Sequence, residues 1–493
     1  MRGEIARGAA WMVLFRLFDR SIGVVSTTLL ARLLIPADFG LVAMAMSVIA
    51  IIELATSFSF EIALIQKPDP EREHFDTAWT LNILVAVVGA IVTAALAYPT
   101  ASFYGDARLT PVMFAIGGAW LISGFENIGT VNFRREMNFS AEFRWMASKR
   151  VVSFVVTLAA AWVFRSYWAL VIGTATGRLT GVTMSYVMHP FRPRLSLARA
   201  RELFSFSGWI LVNNVASVVV SRMPHFFVGR VFGAQALGAY TVGSEIAQLA
   251  HTELVAPINR AMFPGYARLV EQPEMFRRIC IEATAAILLI VLPVTAAIAV
   301  LAGPLVRVLL GDQWSAAVPV IQILAVAGAV AALTSNNMAA YLALGRPRSV
   351  TMIVSVRLAV FFGVAFLIGR NHGVQGVAFA ELFASIASLV VSLPILFAAV
   401  KLRTRDYLAI IWRPLLASVL GGAAVHLVVN VTGSASNFGH ALLSLLVGIP
   451  LGGVLYWFLI WGLWRLAGSP ETAETMIGRR IRGAINGVLH PAG

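Results

Sequence analysis

Apolar stretches of membrane-crossing length recur along the whole chain, separated by short polar segments in which arginine dominates. Windows of about 19 residues place helices near 8–33, 39–65, 76–98, 109–131, 146–164, 166–189, 208–232, 236–263, 279–303, 316–344, 350–368, 373–400, 412–431 and 438–464. Sharing 493 residues among these spans gives about 35 each, one ~20-residue crossing helix with a short connection. That spacing leaves no room for a folded domain outside the membrane. The pattern predicts an all-α polytopic membrane protein of about 14 transmembrane helices. Several segments are long enough to require tilt or a kink, for instance at Pro257.

The basic residues test this count. With the N-terminus in the cytoplasm, 26 of the 38 lysines and arginines fall in loops assigned inside, Lys149 and Arg150 among them. Six fall outside (Arg32, Arg108, Arg165, Arg230, Arg307 and Arg370) and six within spans. Losing or adding one helix would invert every loop downstream, so both termini are expected in the cytoplasm. The segment 465–493 reads as a basic cytoplasmic tail. Ile477, Ile481 and Ile485 recur there every fourth residue beside Arg479, Arg480 and Arg482, as in a helix lying on the membrane surface.

Composition closes off other classes. The chain is 59% apolar and 13% charged, against about 45–50% and about 25% in soluble domains. The net charge of +14 is explained by loop anchors and calls for no nucleic acid. The single Cys280 allows neither an internal disulfide nor a cysteine metal site. Arg16, Asp19 and Arg20 interrupt the first apolar run, so it reads as a retained helix and not a cleaved signal. No phosphate loop, dinucleotide fingerprint or helical His pair is present, so no cofactor, metal or enzymatic role is expected. Asp69-Pro70-Glu71, between Lys67 and Arg72, reads as a solvated loop.

An internal repeat appears at an offset of 198, aligning Trp11 with Trp209, Arg32 with Arg230 and Gly40 with Gly238. The offset covers an even number of spans, so the halves are parallel repeats. The plan is a six-helix lobe over 1–190, a second over 208–400, two further helices over 412–464 and the tail. Facing six-helix bundles are a transporter plan.

Ionisable groups inside spans are the candidates for chemistry, since each costs roughly 2.5–3.5 kcal/mol at a helix centre unless it faces a cavity or a partner. Arg16, Asp19 and Arg20 share an arc of about 100° on the first helix. Asp19 can pair with Arg16 at i,i+3, leaving Arg20 for an anion; a structural ion pair is the equal alternative. Glu53, mid-span with Ser57 and Glu61 on one face, reads as an unpaired carboxylate able to couple transport to an ion gradient. Asp19 and Glu245 are further coupling candidates. Asn214, Ser217, Ser221 and His225 line one face of the seventh span, with Arg222 at its edge. Glu245, Gln248, Thr252, Asn259 and Arg260 line the eighth. Stripes of that length must face water or a polar helix. Glu126 with Ser123 and Thr130, Arg178, Arg357, and Glu381 with Ser385 and Ser388 either line the same cavity or form interhelical pairs. Arginines in spans 1, 7 and 8 point to an anionic cargo, and the surrounding hydroxyls and amides to a sugar-like body.

Leu29-Leu30-Ala31-Arg32-Leu33-Leu34 followed by Pro36-Ala37-Asp38-Phe39-Gly40-Leu41 resembles a stretch of Wzx-type polysaccharide transporters of the multidrug/oligosaccharidyl-lipid/polysaccharide exporter superfamily. Ala63-Leu64-Ile65-Gln66-Lys67 and Phe133-Arg134-Arg135-Glu136-Met137-Asn138-Phe139 are similar to stretches there too. The resemblance implies a flippase moving undecaprenyl-pyrophosphate-linked oligosaccharide units across the bacterial inner membrane by ion-coupled alternating access, for exopolysaccharide, O-antigen or capsule assembly. It implies substrate binding by cavity cations, carried here to Arg16, Arg20, Arg222 and Arg260 with Asn214 and Gln248 from their span positions. It also implies membrane lipids, a polysaccharide polymerase and export machinery as partners. Pro36 and Asp38 are read as a helix break and a cap, not as a binding site. Alternatives are a peptidoglycan-precursor flippase or cation-coupled drug exporter of the same fold and, from another class, a membrane polysaccharide polymerase or ligase. Such an enzyme needs a larger outside loop than any assigned here.

Overall fold

The computed structural model describes residues 2–55, 60–67, 69–431 and 437–468, and every regular element among them is helical. Nine of these helices are long and apolar enough to cross a membrane, or ten if Leu109–Ser123 and Ile128–Arg135, bent by 65°, form one broken span. The chain is an all-helical, multi-pass membrane protein. Helix α1 (Arg2–Leu33) is long enough to cross, but Arg16, Asp19 and Arg20 at its middle keep it from reading as purely apolar.

Residues 1–241 form one compact unit and 242–493 another. The first unit contains α1, α2 (Pro36–Ala55), α3 (Phe60–Gln66), α4 (Arg72–Ala95), α5 (Ala97–Tyr104), α6 (Leu109–Ser123), α7 (Val131–Arg135), α8 (Phe139–Phe164) and α9 (Trp168–Met188). It also holds most of α10 (Ala200–Ala247), which breaks at Gly233, φ 78°. The spans read near 208–232 and 236–263 therefore meet at a glycine turn with almost no loop.

The α1–α2 connection shows why the sequence breaks where it does. Pro36 opens α2, where a missing N–H costs nothing. Asp38 Oδ2 reaches back to accept from Ile35 N at 3.2 Å, the reciprocal half of a capping box. Its Oδ1 accepts from Tyr167 N at 3.0 Å, so one buried carboxylate serves the N-termini of α2 and α9. Beyond α9 the chain is extended and strapped along α4. Arg194 N donates to Asp76 Oδ1 and Ser196 N to Thr80 Oγ1, each at 2.9 Å. Asn127 Nδ2 donates to Phe191 O at 2.7 Å. Lys67 Nζ, 2.5 Å from Glu202 Oε1 and 2.7 Å from His74 Nε2, ties the start of α10 to the same end of the unit. That lysine holds the Glu202 carboxyl below its ordinary range.

The second unit contains α11 (Ala256–Leu269), α12 (Pro273–Val300), α13 (Ala302–Leu309), α14 (Ala317–Thr334), α15 (Asn337–Ala343), α16 (Pro347–Val364), α17 (Arg370–Val400), α18 (Thr404–Val431) and α19 (Phe438–Leu466). The kink expected at Pro257 is a π-turn over His251–Val255 immediately before it. A buried break separates α14 from α15. There Tyr407 Oη donates to Leu333 O at 2.5 Å, and Asn336 Nδ2 to Tyr266 Oη at 2.5 Å.

Left-handed residues recur along the chain: Gly105 and Gly311, Met137 and Gly345, Arg165 and Gly373. These pairs are spaced by 206, 208 and 208 residues. The first pair closes Leu96-Ala97-Tyr98-Pro99…Gly105-Asp106 and Leu301-Ala302-Gly303-Pro304…Gly311-Asp312. The second ends α7 and α15 with the same wrapped carbonyl, Asn138 N to Phe133 O at 2.7 Å and Arg346 N to Tyr341 O at 2.8 Å.

Candidate functional site

The polar groups inside the first unit's helices gather where α1, α2, α8 and α9 meet. Asn138 caps α8, its Oδ1 accepting from Ala141 N at 3.2 Å, so the helix starts before the apolar window that suggested 146. Lys149 and Arg150 consequently lie roughly 15–17 Å into the helix at 1.5 Å per residue. Their assignment to an inside loop is corrected.

Asp19 faces Arg150, with Oδ1 2.9 Å from Nε. The partner shown is thus a cation of another helix and not the Arg16 expected on its own. The reason is packing: Trp11, Phe15 and Phe18 close on Phe143 of α8 at centroid distances of 5.2, 6.1 and 5.8 Å. Asp19 continues that face one turn on and meets α8's cation first. Glu53 is not an unpaired carboxylate either, because Arg178 Nη2 of α9 lies 2.7 Å from its Oε1. Arg178 Nη1 also donates to Ser123 Oγ at 3.3 Å. Glu126, in the break after α6, takes Lys149 Nζ at 3.4 Å, and that ammonium lies 4.3 Å from the centre of the Trp145 ring.

Carboxylates thus come from α1, α2 and the α6–α7 break, and cations from α8 and α9. The pairs are half-open: the Arg150 and Asp19 side chains are 42% and 45% exposed. In the second unit, Arg357 of α16 pairs with Glu381 of α17 and lies 3.5 Å from Ser385 Oγ. The interhelical alternative for Glu126, Arg178, Arg357 and Glu381 is the arrangement observed.

Of the other candidates, Arg16 is exposed and Arg20 half-buried on α1, and both make further interactions. Arg222 is half-buried on α10, one turn before His225, whose ring packs 5.5 Å from Tyr240. Glu245 and Gln248 are exposed at the end of α10. The π-turn breaks the stripe they begin, and Asn259 instead donates from Nδ2 to Ser335 O at 3.1 Å. The side chains of Asn214, Ser217, Ser221 and Arg260 lie outside the described residues. Among the described residues no cluster of three or more His, Cys, Asp or Glu side chains could hold a metal.

A cavity of about 290 Å³ opens beside the Asp19–Arg150 pair, walled by α1, α2, α8 and α9 with Thr241 of α10. Arg150, which pairs with Asp19 and lines this cavity, is the residue that hydropathy missed. The capping Asn138, followed by Ala141 and Glu142, was the signal that could have moved the helix start.

A family described as "Polysaccharide biosynthesis protein" matches residues 29–319. The succinoglycan biosynthesis transport protein ExoT of Rhizobium meliloti is 23% identical over 462 residues, covering 92% of each chain. The lipopolysaccharide biosynthesis protein WzxC of Escherichia coli is 21% identical, covering 85% of this chain and 86% of its own. The teichuronic acid biosynthesis protein TuaB of Bacillus subtilis is 22% identical, covering 93% and 95%. Among solved structures, the lipid II flippase MurJ in an inward closed conformation matches with a TM-score of 0.71 at 12% identity, over 92% of this chain and 98% of that one. An inward-facing multidrug resistance MATE family transporter matches with a TM-score of 0.61 at 14% identity, over 78% and 95%. These likenesses establish the fold. With more than half its length matched, this chain belongs to the polysaccharide biosynthesis protein family, whose relatives here include a named transport protein.

Proposed function

We propose that the chain is a flippase for lipid-linked oligosaccharide, carrying undecaprenyl-pyrophosphate-linked repeat units across the bacterial inner membrane for surface-polysaccharide assembly. It works by ion-coupled alternating access of two parallel six-helix repeats, 1–190 and 208–400, followed by two further spans, with both termini cytoplasmic. The recurring left-handed residues at offsets of 206 and 208 support the repeat. The observation that carries the reading is the pair of cations Arg150 and Arg178, held within helices of a chain of this family on carboxylates that are 45% and 37% exposed. A guanidinium in a membrane-spanning chain is costly unless an anion answers it; Asp19 and Glu53 do so here, and in this reading the cargo's anion takes their place. In this reading Arg16, Arg20, Arg222 and Arg260 bind the anionic head, with Asn214 and Gln248 on the sugar body. Asp19, Glu53 and Glu245 exchange the coupling ion, the first two by releasing their arginine partners. A polymerase and an export apparatus would consume the product.

Reconstitution tests this directly. Purified protein in sealed vesicles with a fluorescent undecaprenyl-pyrophosphate oligosaccharide should render the inner-leaflet fraction accessible to an impermeant glycosidase. Arg178→Ala should slow that step. Accessibility equal to that of protein-free vesicles would refute the proposal.

A further inference from the structure

The cavity beside Arg150 has an unequal chemistry on its walls. Ser26, Arg150, Ser153, Thr157, Thr174 and Thr241 interrupt a lining that is otherwise apolar. Three of those hydroxyls already direct their proton into the backbone. Ser153 Oγ donates to Gly173 O at 2.8 Å, Thr157 Oγ1 to Ser153 O at 2.6 Å and Thr174 Oγ1 to Leu170 O at 2.9 Å. A hydroxyl has one proton and two lone pairs, so each of these can meet a guest only as an acceptor.

Arg150 is the opposite, since a guanidinium only donates. Its Nε faces Asp19 at 2.9 Å. Among the described residues no acceptor stands on Nη1 or Nη2. Gly23 of α1 leaves room for Nη2, which would lie 3.2 Å from a Cβ placed there. The remaining edge of the fork matches a carboxylate presented from the cavity.

We propose that this cavity is a subsite for one acidic sugar of the cargo, with its carboxylate on Arg150 and its ring hydroxyls donating to Ser153, Thr157 and Thr174. At about 290 Å³ it sits at the small end of ligand pockets, room for a ring and not for a repeat unit. A pyrophosphate is a poor match. It carries acceptors on every side and more than one charge, whereas this wall offers three acceptors and a single guanidinium partly offset by Asp19. A neutral sugar would use the hydroxyls and leave the Nη edge of the guanidinium without an acceptor. The inference rests on the flippase reading, but its test requires no transport.

Cys280 is the sole thiol and is 2% exposed, so a cysteine introduced as Ser26→Cys can report the cavity alone. The full-length S26C chain is labelled with a polar maleimide in the presence of glucuronate, glucose or inorganic pyrophosphate at matched ionic strength. Glucuronate is expected to slow labelling, while glucose and pyrophosphate leave it unchanged. Arg150→Gln should raise the glucuronate concentration for half-protection at least about tenfold, the loss of a charge-assisted hydrogen bond. If R150Q does not stay monodisperse, the pair S153A/T157V removes acceptors with Arg150 in place and should weaken protection in the same direction.

Equal protection by glucose or by pyrophosphate overturns the proposal, as does no protection by glucuronate. Flipping in vesicles without glucuronate protection would remove the subsite and leave the flippase reading standing. Protection without flipping would do the reverse.

Discussion

Replacing Gly40 or Gly238 with alanine should destabilise the protein, although alanine in a helix ordinarily stabilises by about 1 kcal/mol over glycine. The two glycines stand where α2 meets the last turns of α10. A Cβ on Gly40 would lie 1.7 Å from Ala234 O and 2.8 Å from Gly238 N, and one on Gly238 would lie 1.8 Å from Pro36 O. Ordinary contact begins near 3.4 Å, so the first methyl needs roughly 1.7 Å of separation that no rotamer can supply, because the obstacles are main-chain atoms. Overpacking of that kind costs about 1–3 kcal/mol, with this site at the upper end. Net of propensity, about 2 kcal/mol or more should be lost. Gly118→Ala on α6, with nothing within 4 Å of its Cβ, is the control and should be neutral or stabilising. Heating in detergent with a thiol-reactive dye follows unfolding through the buried Cys280, at one fixed scan rate because such unfolding is usually irreversible. G40A and G238A should each melt several degrees below wild type. The double variant should fall close to either single one, since one parting of the helices accommodates both methyls. An unchanged or raised melting temperature for G40A, or strictly additive losses, would refute the close crossing.

Glu53→Gln and Arg178→Gln should each cost about 1 kcal/mol, less than the 3–5 kcal/mol of a fully buried pair because Glu53 is 37% exposed; a double-mutant thermal cycle should show coupling. Asp38→Ala removes an acceptor from Ile35 N and Tyr167 N. It should lower stability by about 1–2 kcal/mol, measured in the same melt, with no comparable loss for Asp69→Ala. Asp106 is held below the ordinary carboxylate range, chiefly by its hydrogen bond from the Arg108 side chain. A carboxyl depressed in the folded state contributes stability above its unfolded pKa and loses it as pH falls through the folded value. The stability gap between wild type and Asp106→Asn should therefore be full near pH 6, shrink below about pH 4, and vanish once both states are protonated.

Much of the architecture was legible because bilayer thickness constrains helix length more tightly than packing does. Nine of the described helices are long and apolar enough to cross a membrane, and the 236–263 reading met a π-turn just before Pro257. What escaped the sequence were features set by neighbours. Hydropathy averages hid Lys149 and Arg150, because two charges at the start of an apolar run look like a loop until Asn138 is seen to cap the helix. Asp19 was matched with Arg16 because i,i+3 partners are visible in one dimension, whereas α8 is not. Glu53 and Arg178 are 125 residues apart, so nothing local could join them. The proposed repeat was read through Gly40 and Gly238, and backbone conformation supports it from another side: Met137 and Arg165 adopt positive φ, as do Gly345 and Gly373, each 208 residues further on.

The pairing of each cation with a half-open carboxylate has a consequence for binding. A closed, buried pair would resist an incoming anion, because separating it leaves an uncompensated charge. Asp19 and Arg150 are both over 40% exposed, so parting them costs less than parting a closed pair. Asp19 then acts as an intramolecular competitor that keeps Arg150 placed until a ligand carboxylate arrives. Asp19→Asn should leave the guanidinium in place, remove the competing charge, and lower the glucuronate concentration needed to protect S26C. A screened contribution of up to about 1 kcal/mol corresponds to as much as fivefold. If the pair is instead a lock that shapes the cavity, D19N disorders Arg150 and protection weakens. A rise in the half-protection concentration, with the variant still monodisperse, would therefore rule out the competitor role and leave Asp19 as a structural anchor between α1 and α8.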